Sequence, residues 1–385
     1  MSRPKSRTAP ASTGAAWSPE RQRALRASVR DALLPWFREH QRAFPWRTRR
    51  TPYRVWISEI MLQQTRADQA LPYYRAFMKK FPSVRALAAA PLDDVLKAWE
   101  GLGYYARARN AHRLARAVAA RPGGRFPQTP REWSLLPGIG PYTLAAIGSL
   151  AYGWPMAVVD GNVARVLSRL LARPERDPAK YRETAQQLLW ADAPGDCNEA
   201  WMELGACICT PRQPRCGQCP LRRDCEALRL GRVEEFPPPR NRPPRPHWVV
   251  AAAVIHDARG RVLIAQRRAE SMLGGLWEFP GGKREPGETL EQCIRREIRE
   301  ELGFTIRPVE PWMVIPHAYS HFTIDLHVYR CLPVRGRPRA LHCADFAWVP
   351  ISRLRDYAFS RADLHVVERL QGESGGKGER KKAEA

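Results

Sequence analysis

The 385-residue chain has no apolar run of about 18 residues or more, which excludes a transmembrane helix of ordinary length. The start, "MSRPKSRTAPASTGAAW", has no acid and no apolar core of the kind a secretory signal needs. Its basic, Ser-rich composition also occurs in transit peptides, but the simpler expectation is a disordered basic arm over residues 1–18. Paired CxxC knuckles are missing too, although there are nine cysteines. An odd count in a chain this long without a signal argues against a disulfide scaffold and for a reducing compartment. The expected location is cytoplasmic, with the nucleoid, and the expected state is a monomer with no membrane partner.

Acidic residues are scarce in one part only. Residues 1–247 carry 41 Lys and Arg against 21 Asp and Glu, whereas residues 248–370 carry 18 against 15. The basic excess therefore marks the N-terminal part as the place for a polyanion.

Strand patterns are absent from residues 18–230. Segments 51–65, 91–99, 105–120, 131–136, 141–152, 160–172 and 178–191 have helical periodicity, broken by Pro or Gly. "RVEEFPPPRNRPPRPH" lies in a Pro-rich linker over residues 231–247. Beyond it "WVVAAAVI" and "RVLIAQRR" flank the turn "HDARG" and read as paired strands. "HFTIDLHVYRC" alternates with period two and places Phe322, Ile324, Leu326 and Val328 on one face. The end, residues 371–385, is low in complexity and expected to be disordered. The organisation is thus an all-α domain over 19–230 and an α+β domain over 248–370.

"CTPRQPRCGQCPLRRDC" spaces Cys209, Cys216, Cys219 and Cys225 by six, two and five residues. Two CxxC pairs would indicate zinc. This uneven spacing suits an iron–sulfur cubane of the 4Fe–4S type, whose ligands span a wider body. Cys207 reads as a core residue.

"LPGIGPYTLAAIGSLAYG" puts Gly138 and Gly140 between two helical segments, where backbone N–H groups can approach a phosphate. In the following "VVDGNVARVLSRL", Asp160 opens a helix. It is either a plain N-cap or a carboxylate kept ionised by helix N–H groups. Glu59 sits in "TPYRVWISEIMLQQT" with Val55 and Leu62 on its face, so its pKa should be raised. Two carboxylates with pKa values pushed apart point to acid-assisted cleavage through an oxocarbenium-like state. Binding alone would require neither, which argues against a DNA-damage binder without catalysis.

Residues 28–228 resemble the helix–hairpin–helix DNA glycosylases with an iron–sulfur loop. "VWISEIMLQQT", "GLGYYARARN", "LPGIGPYT", "VDGNVARVL" and "MELGACICT" resemble the MutY branch, which removes adenine mispaired with 8-oxoguanine or guanine in duplex DNA. The resemblance implies that Glu59 is the general acid at adenine N7, Asp160 the cation stabiliser and Asn162 its support. It implies that Gln63 and Tyr104 fill the gap left by the flipped adenine, and that Arg47 and Glu199 read the base. Tyr142 stands where the related endonuclease III branch has a lysine nucleophile. Little or no strand cleavage is therefore expected.

"GGKREPGETLEQCIRREIREELGF" opens a second chemistry. Thr289 and Gln292 form a capping box for a helix to about Leu302. Leu290, Ile294, Ile298 and Leu302 form its buried stripe. Glu297, Glu300 and Glu301 share another face and repel each other unless a cation intervenes. Hard oxygen ligands of this kind favour Mg²⁺ or Mn²⁺. Gly282, Glu288, Arg296, Glu297, Ile298, Glu300, Glu301, Gly303 and Phe304 complete the Nudix pattern. "LWEFPGGKREPGETLEQ" resembles MutT, and the resemblance implies a domain that reads 8-oxoguanine through Tyr319, Ser320 and His321. Hydrolysis of 8-oxo-dGTP or a related nucleotide by this domain is the alternative, and it stays open at this point.

Overall fold

A computed structural model describes residues 18–239 and 244–383, with side chains to 374. The basic arm and residues 240–243 of the linker lie outside the described residues. The chain divides into two compact units. One comprises the chain up to Glu59 with Ile139–Arg240; the other comprises Ile60–Gly138 and the chain from Asn241 onward. No helix among the described residues is long and apolar enough to cross a membrane.

Helices are numbered in chain order. The first unit opens with α1 (Pro19–His40), α2 (Pro45–Thr48) and most of α3 (Pro52–Leu62). The second unit takes the end of α3 and then α4 (Ala67–Lys80), α5 (Val84–Ala89), α6 (Leu92–Ala98), α7 (Ala106–Ala119) and α8 (Pro130–Ser134). The chain returns to the first unit for α9 (Pro141–Tyr152), α10 (Gly161–Leu170), α11 (Arg182–Gln187), α12 (Pro194–Cys207) and α13 (Glu226–Arg229). No strand occurs among the described residues before His247.

The first unit's core packs α1 against α10 and α12. Val29, Leu33 and Phe37 of α1 recur every four residues and meet Val163, Val166, Leu167 and Leu170 of α10 and Ala200, Trp201 and Leu204 of α12. The linker's start belongs to this unit: the buried Arg169 donates to the carbonyls of Val233 and Phe236, at 3.2 and 2.8 Å.

The later part of the second unit holds β1 (His247–Ile255), β2 (Val262–Gln266), β3 (Trp277–Glu278), β4 (Gly281–Lys283), α14 (Leu290–Leu302), β5 (Thr305–Ala318), β6 (Thr323–Arg335), β7 (Asp345–Val349) and α15 (Arg361–Ala383). The two expected strands β1 and β2 form, but the expected pairing between them does not. They touch at a single bridge, His256 to Val262, and then enter different sheets. One sheet has the order β4-β1-β6-β5, with β1 and β6 parallel; the other has the order β3-β2-β7. The physical reason is burial. Ala252 and Val254 face one core while Ala251, Ala253 and Ile255 face another, so β1 needs cover on both sides. The face carrying Phe322, Ile324, Leu326 and Val328 is buried as its alternation requires.

The final segment departs from expectation. Residues 371–383 continue α15 to Ala383. Glu373 explains the extension: it accepts from Trp312 Nε1 at 3.1 Å and from Arg369 Nε at 3.0 Å, and it pairs with Arg330. Two tertiary partners, with Arg369 one turn earlier in the same helix, offset the poor helix propensity of the glycines around Glu373.

Candidate active site

Glu59 lies in α3 and is buried among Val55, Trp56, Ile60 and Met61. Burial pushes its pKa up to about 7, and the neighbouring carboxylates Glu199 and Asp160 add to the rise. Tyr142, in the first turn of α9, opposes that rise by donating its hydroxyl to Glu59 Oε2 at 2.9 Å. A carboxyl poised near neutral pH and held at one oxygen leaves the other oxygen to carry a proton.

Asp160 is the N-cap of α10. Its Oδ1 accepts from the N–H of Val163 at 2.7 Å and its Oδ2 accepts from Asn162 Nδ2 at 2.9 Å. Both bonds favour the anion, yet burial prevails and the pKa is raised. The two carboxyls are therefore not driven in opposite directions in the free protein. The desolvation of Asp160 outweighs its helix N–H partners, and a cationic sugar beside it would supply the missing charge.

Asn162 is fixed from the far side. Arg165 Nη2 donates to its Oδ1 at 2.9 Å, while Arg165 Nε donates to the carbonyl of Cys209 at 2.8 Å. The polar site is thereby linked to the cysteine loop.

Arg47 and Glu199 are brought together, but as partners of each other. Arg47 Nε donates to Glu199 Oε1 at 3.0 Å and its Nη2 to Glu203 Oε2 at 2.8 Å. Arg42 Nε donates to Glu203 Oε1 at 2.7 Å, and Arg50 closes the row on Glu199 and Asp196. Glu203, Arg42 and Arg50 were missed in the sequence. The signal was present: Glu199 and Glu203 stand one helical turn apart on α12, in an otherwise apolar stretch. Paired arginines hold the Glu203 carboxyl down at about 2 although burial opposes them.

The hairpin between α8 and α9 carries Gly138 and Gly140. Gly138 has φ of +81°, and a Cβ there would sit 2.9 Å from the Asn110 side chain, so both torsion and space require glycine. Gly140 caps α9, with Pro141 as its first residue.

Gln63, Tyr104, Tyr319, Ser320 and His321 all belong to the second unit. Tyr104 and His321 lie edge to face, 6.4 Å between ring centres. The β5–β6 hairpin tip is closed by the Tyr319 N–H donating to the Phe322 carbonyl at 2.9 Å. Ser320 and His321 are exposed, whereas Tyr319 is half-buried and stacks on Phe322.

Cys209, Cys216, Cys219 and Cys225 line one small cavity with Ile208, Leu228, Val233, Arg169 and Arg222. Cys207 is not in that lining and bonds instead to Glu203. Arg169 Nη1 approaches Cys209 Sγ at 3.3 Å. Four thiols around a shared apolar space, with cationic neighbours, fit a thiolate-ligated cluster.

The Nudix box forms as its spacing requires. The capping box is complete, with the Thr289 N–H donating to Gln292 Oε1 at 2.8 Å and the Gln292 N–H donating to Thr289 Oγ1 at 3.2 Å. Gly282 passes so close to Glu297 that a Cβ would lie 2.2 Å from its carboxylate. The three glutamates do not share an open face. Arg296 Nη1 donates to Glu297 Oε1 at 2.9 Å and approaches Glu300 at 3.5 Å, while its Nε donates to Glu288 Oε1 at 2.9 Å. Glu301 points into a cavity of about 350 Å³ with one oxygen unpartnered, and burial pushes its pKa up to about 7. Arg296 thus pairs with part of the acidic cluster, while Glu297 and Glu301 line the same cavity.

Three stretches of the chain match known protein families. Residues 57–191 match the HhH-GPD superfamily of base excision DNA repair proteins. Residues 209–225 match the iron–sulfur binding domain of endonuclease III, and the loop holds a 4Fe–4S cluster. Residues 251–369 match the NUDIX domain. The adenine DNA glycosylase of Homo sapiens is 34% identical over 91% of this chain and 75% of its own. That of Rattus norvegicus is 33% identical over 87% of this chain and 76% of its own. That of Schizosaccharomyces pombe is 30% identical over 84% of this chain and 85% of its own. A helical glycosylase domain with its cluster loop, continued by a NUDIX domain in one chain, therefore belongs to the adenine DNA glycosylase family.

Proposed function

We propose that this chain is a base-excision repair enzyme that hydrolyses the N-glycosidic bond of adenine paired with 8-oxoguanine or guanine in duplex DNA. The observation that carries the reading is the buried Glu59 carboxyl, poised at about 7 and hydrogen-bonded to Tyr142, in the same unit as Asp160 and Asn162. Glu59 gives its proton to adenine N7, and the C1′–N9 bond breaks with its electron pair leaving on the base. Asp160 stabilises the sugar cation until water adds at C1′ and loses a proton. The flipped base leaves a gap that Gln63 and Tyr104 fill, and flipping costs least at a mispair. Arg47 and Glu199, locked to each other, present a fixed polar edge to the base. The backbone at Gly138 and Gly140 meets phosphate, and the excess of Lys and Arg before the linker supports duplex binding.

Tyr142 offers no amine for a Schiff base, so the enzyme is monofunctional. The NUDIX domain reads 8-oxoguanine through Ser320 and His321, with Tyr319 as the anchor of the tip. The internal pairing of Arg296 favours this recognition role over nucleotide hydrolysis. The enzyme acts as a monomer, in the cytoplasm with the nucleoid. The test is alkali-revealed cleavage of a duplex with adenine opposite 8-oxoguanine. Wild-type protein should cleave and Glu59→Gln should not; retained cleavage by the variant would refute the acid assignment.

A further inference from the structure

Arg107 stands in the first turn of α7, where the helix dipole disfavours a cation. It is half-buried, and burial pulls its pKa down to about 10. Both costs imply a compensating role. Its Nη1 donates to the carbonyls of Ile60, Met61 and Gln63 at 2.8, 2.9 and 2.6 Å. Its Nη2 donates to the carbonyls of Leu102 and Gly103 at 3.2 and 3.0 Å. Ile60 and Met61 belong to the C-terminal end of α3, whose last carbonyls have no partner within the helix, and Gln63 follows directly after it. The other two belong to the loop that delivers Tyr104. The guanidinium also lies over the rings of Trp99 and Tyr104, at 5.4 and 5.5 Å.

The two tied segments share another property. Gln64 has φ of +59° and Tyr104 has φ of +49°, conformations that side chains other than glycine rarely adopt. Such torsions persist only where surrounding bonds over-determine them. A planar fork can serve two loops at once, whereas a lysine ammonium cannot reproduce that geometry.

We propose that Arg107 is the positioning residue that ties Gln63 and Tyr104 into one preformed wedge for the space vacated by the flipped adenine. The inference rests on the gap-filling reading of those two side chains. A wedge ordered in advance spares the complex the entropy of ordering two loops while the base leaves the stack. Arg107 acts through the backbone that carries the wedge.

The test uses full-length, cluster-loaded protein in the Glu59→Gln background, so that binding and flipping are read without chemistry. The probe is a duplex with 2-aminopurine at the adenine position opposite 8-oxoguanine, whose fluorescence rises as the base unstacks. Arg107→Lys should weaken binding about tenfold, the scale of one lost stacking contact, and reduce the fluorescence rise. Tyr104→Ala should do the same, and the double variant should be no worse than Tyr104→Ala alone. Thermal melting and cluster absorbance establish that each variant is folded. If Arg107→Lys is too unstable, Gln64→Gly, which accepts a positive φ, should restore its stability and keep the comparison available. Unchanged fluorescence and affinity in Arg107→Lys, or losses that multiply in the double variant, would overturn the proposal. Full flipping by both Tyr104→Ala and Gln63→Ala would instead remove the gap-filling reading, and Arg107's role with it.

Discussion

The Tyr142 hydroxyl donates to Glu59 Oε2 across 2.9 Å, joining the first turn of α9 to α3. This bond pulls the Glu59 pKa down while burial pushes it up. Tyr142→Phe removes the downward pull. The alkaline limb of the single-turnover pH profile for adenine release should move to higher pH, because the acid stays protonated further. A limb that stays in place or moves to lower pH would show that the bond does not tune the acid.

Burial of Glu59 also predicts a pH-dependent stability effect. Between the ordinary carboxyl value of 4.5 and about 7, the folded protein binds more protons at this site than the unfolded chain does. Stability therefore falls as pH rises through that window. Glu59→Gln removes the titration. Its melting temperature should match wild type near pH 5 and exceed it at pH 8, by an effect on the order of 3 kcal/mol. Calorimetry at the two pH values checks the sign.

Glu199 and Glu203 of the Arg42–Glu203–Arg47–Glu199 row are buried, and removal of an arginine strands them. Arg47→Ala should destabilise the protein by about 3–5 kcal/mol, measured by thermal or urea denaturation. Arg47→Lys should recover only part of this, since a single ammonium cannot span Glu199, Glu203 and the Arg42 carbonyl.

Arg296 pairs with Glu288 and Glu297 within the chain. The proposed adenine excision uses none of these glutamates, so adenine release should be unaffected by EDTA. Incubation of the full-length protein with 8-oxo-dGTP and Mg²⁺ should release no more 8-oxo-dGMP and pyrophosphate than a Glu300→Gln control. Metal-dependent release above that control would restore the nucleotide-hydrolase alternative.

The cysteine loop is tied to the polar site through Arg165, which binds both the Cys209 carbonyl and Asn162. Cys219→Ser should lower cluster absorbance and melting temperature together, and weaken duplex binding.

Local periodicity and spacing carried much of this architecture. Ile294, Ile298 and Leu302 are fully buried at the predicted four-residue interval, and Thr289 and Gln292 close the predicted capping box. Glu59 and Asp160 were legible because a carboxyl among apolar neighbours and a carboxyl opening a helix are local patterns. What was not legible depended on distant partners. The strands β1 and β2 are adjacent in sequence but enter different sheets, because two cores compete for the faces of β1. Arg107 looks like an ordinary surface charge until the chain brings it the carbonyls of Ile60, Met61 and Gln63 from far along the sequence. Residues 371–383 have the composition of a tail, yet α15 continues through them, and Trp312 and Arg330 hold Glu373 from outside the helix.

The central claim is that Glu59 is the proton donor in adenine excision. The most direct measurement is single-turnover release of adenine from a duplex with adenine opposite 8-oxoguanine, comparing wild type with Glu59→Gln at equal occupancy of the DNA. Wild type should release adenine and the variant should release none, with duplex binding retained. Release by Glu59→Gln at the wild-type rate would contradict the claim.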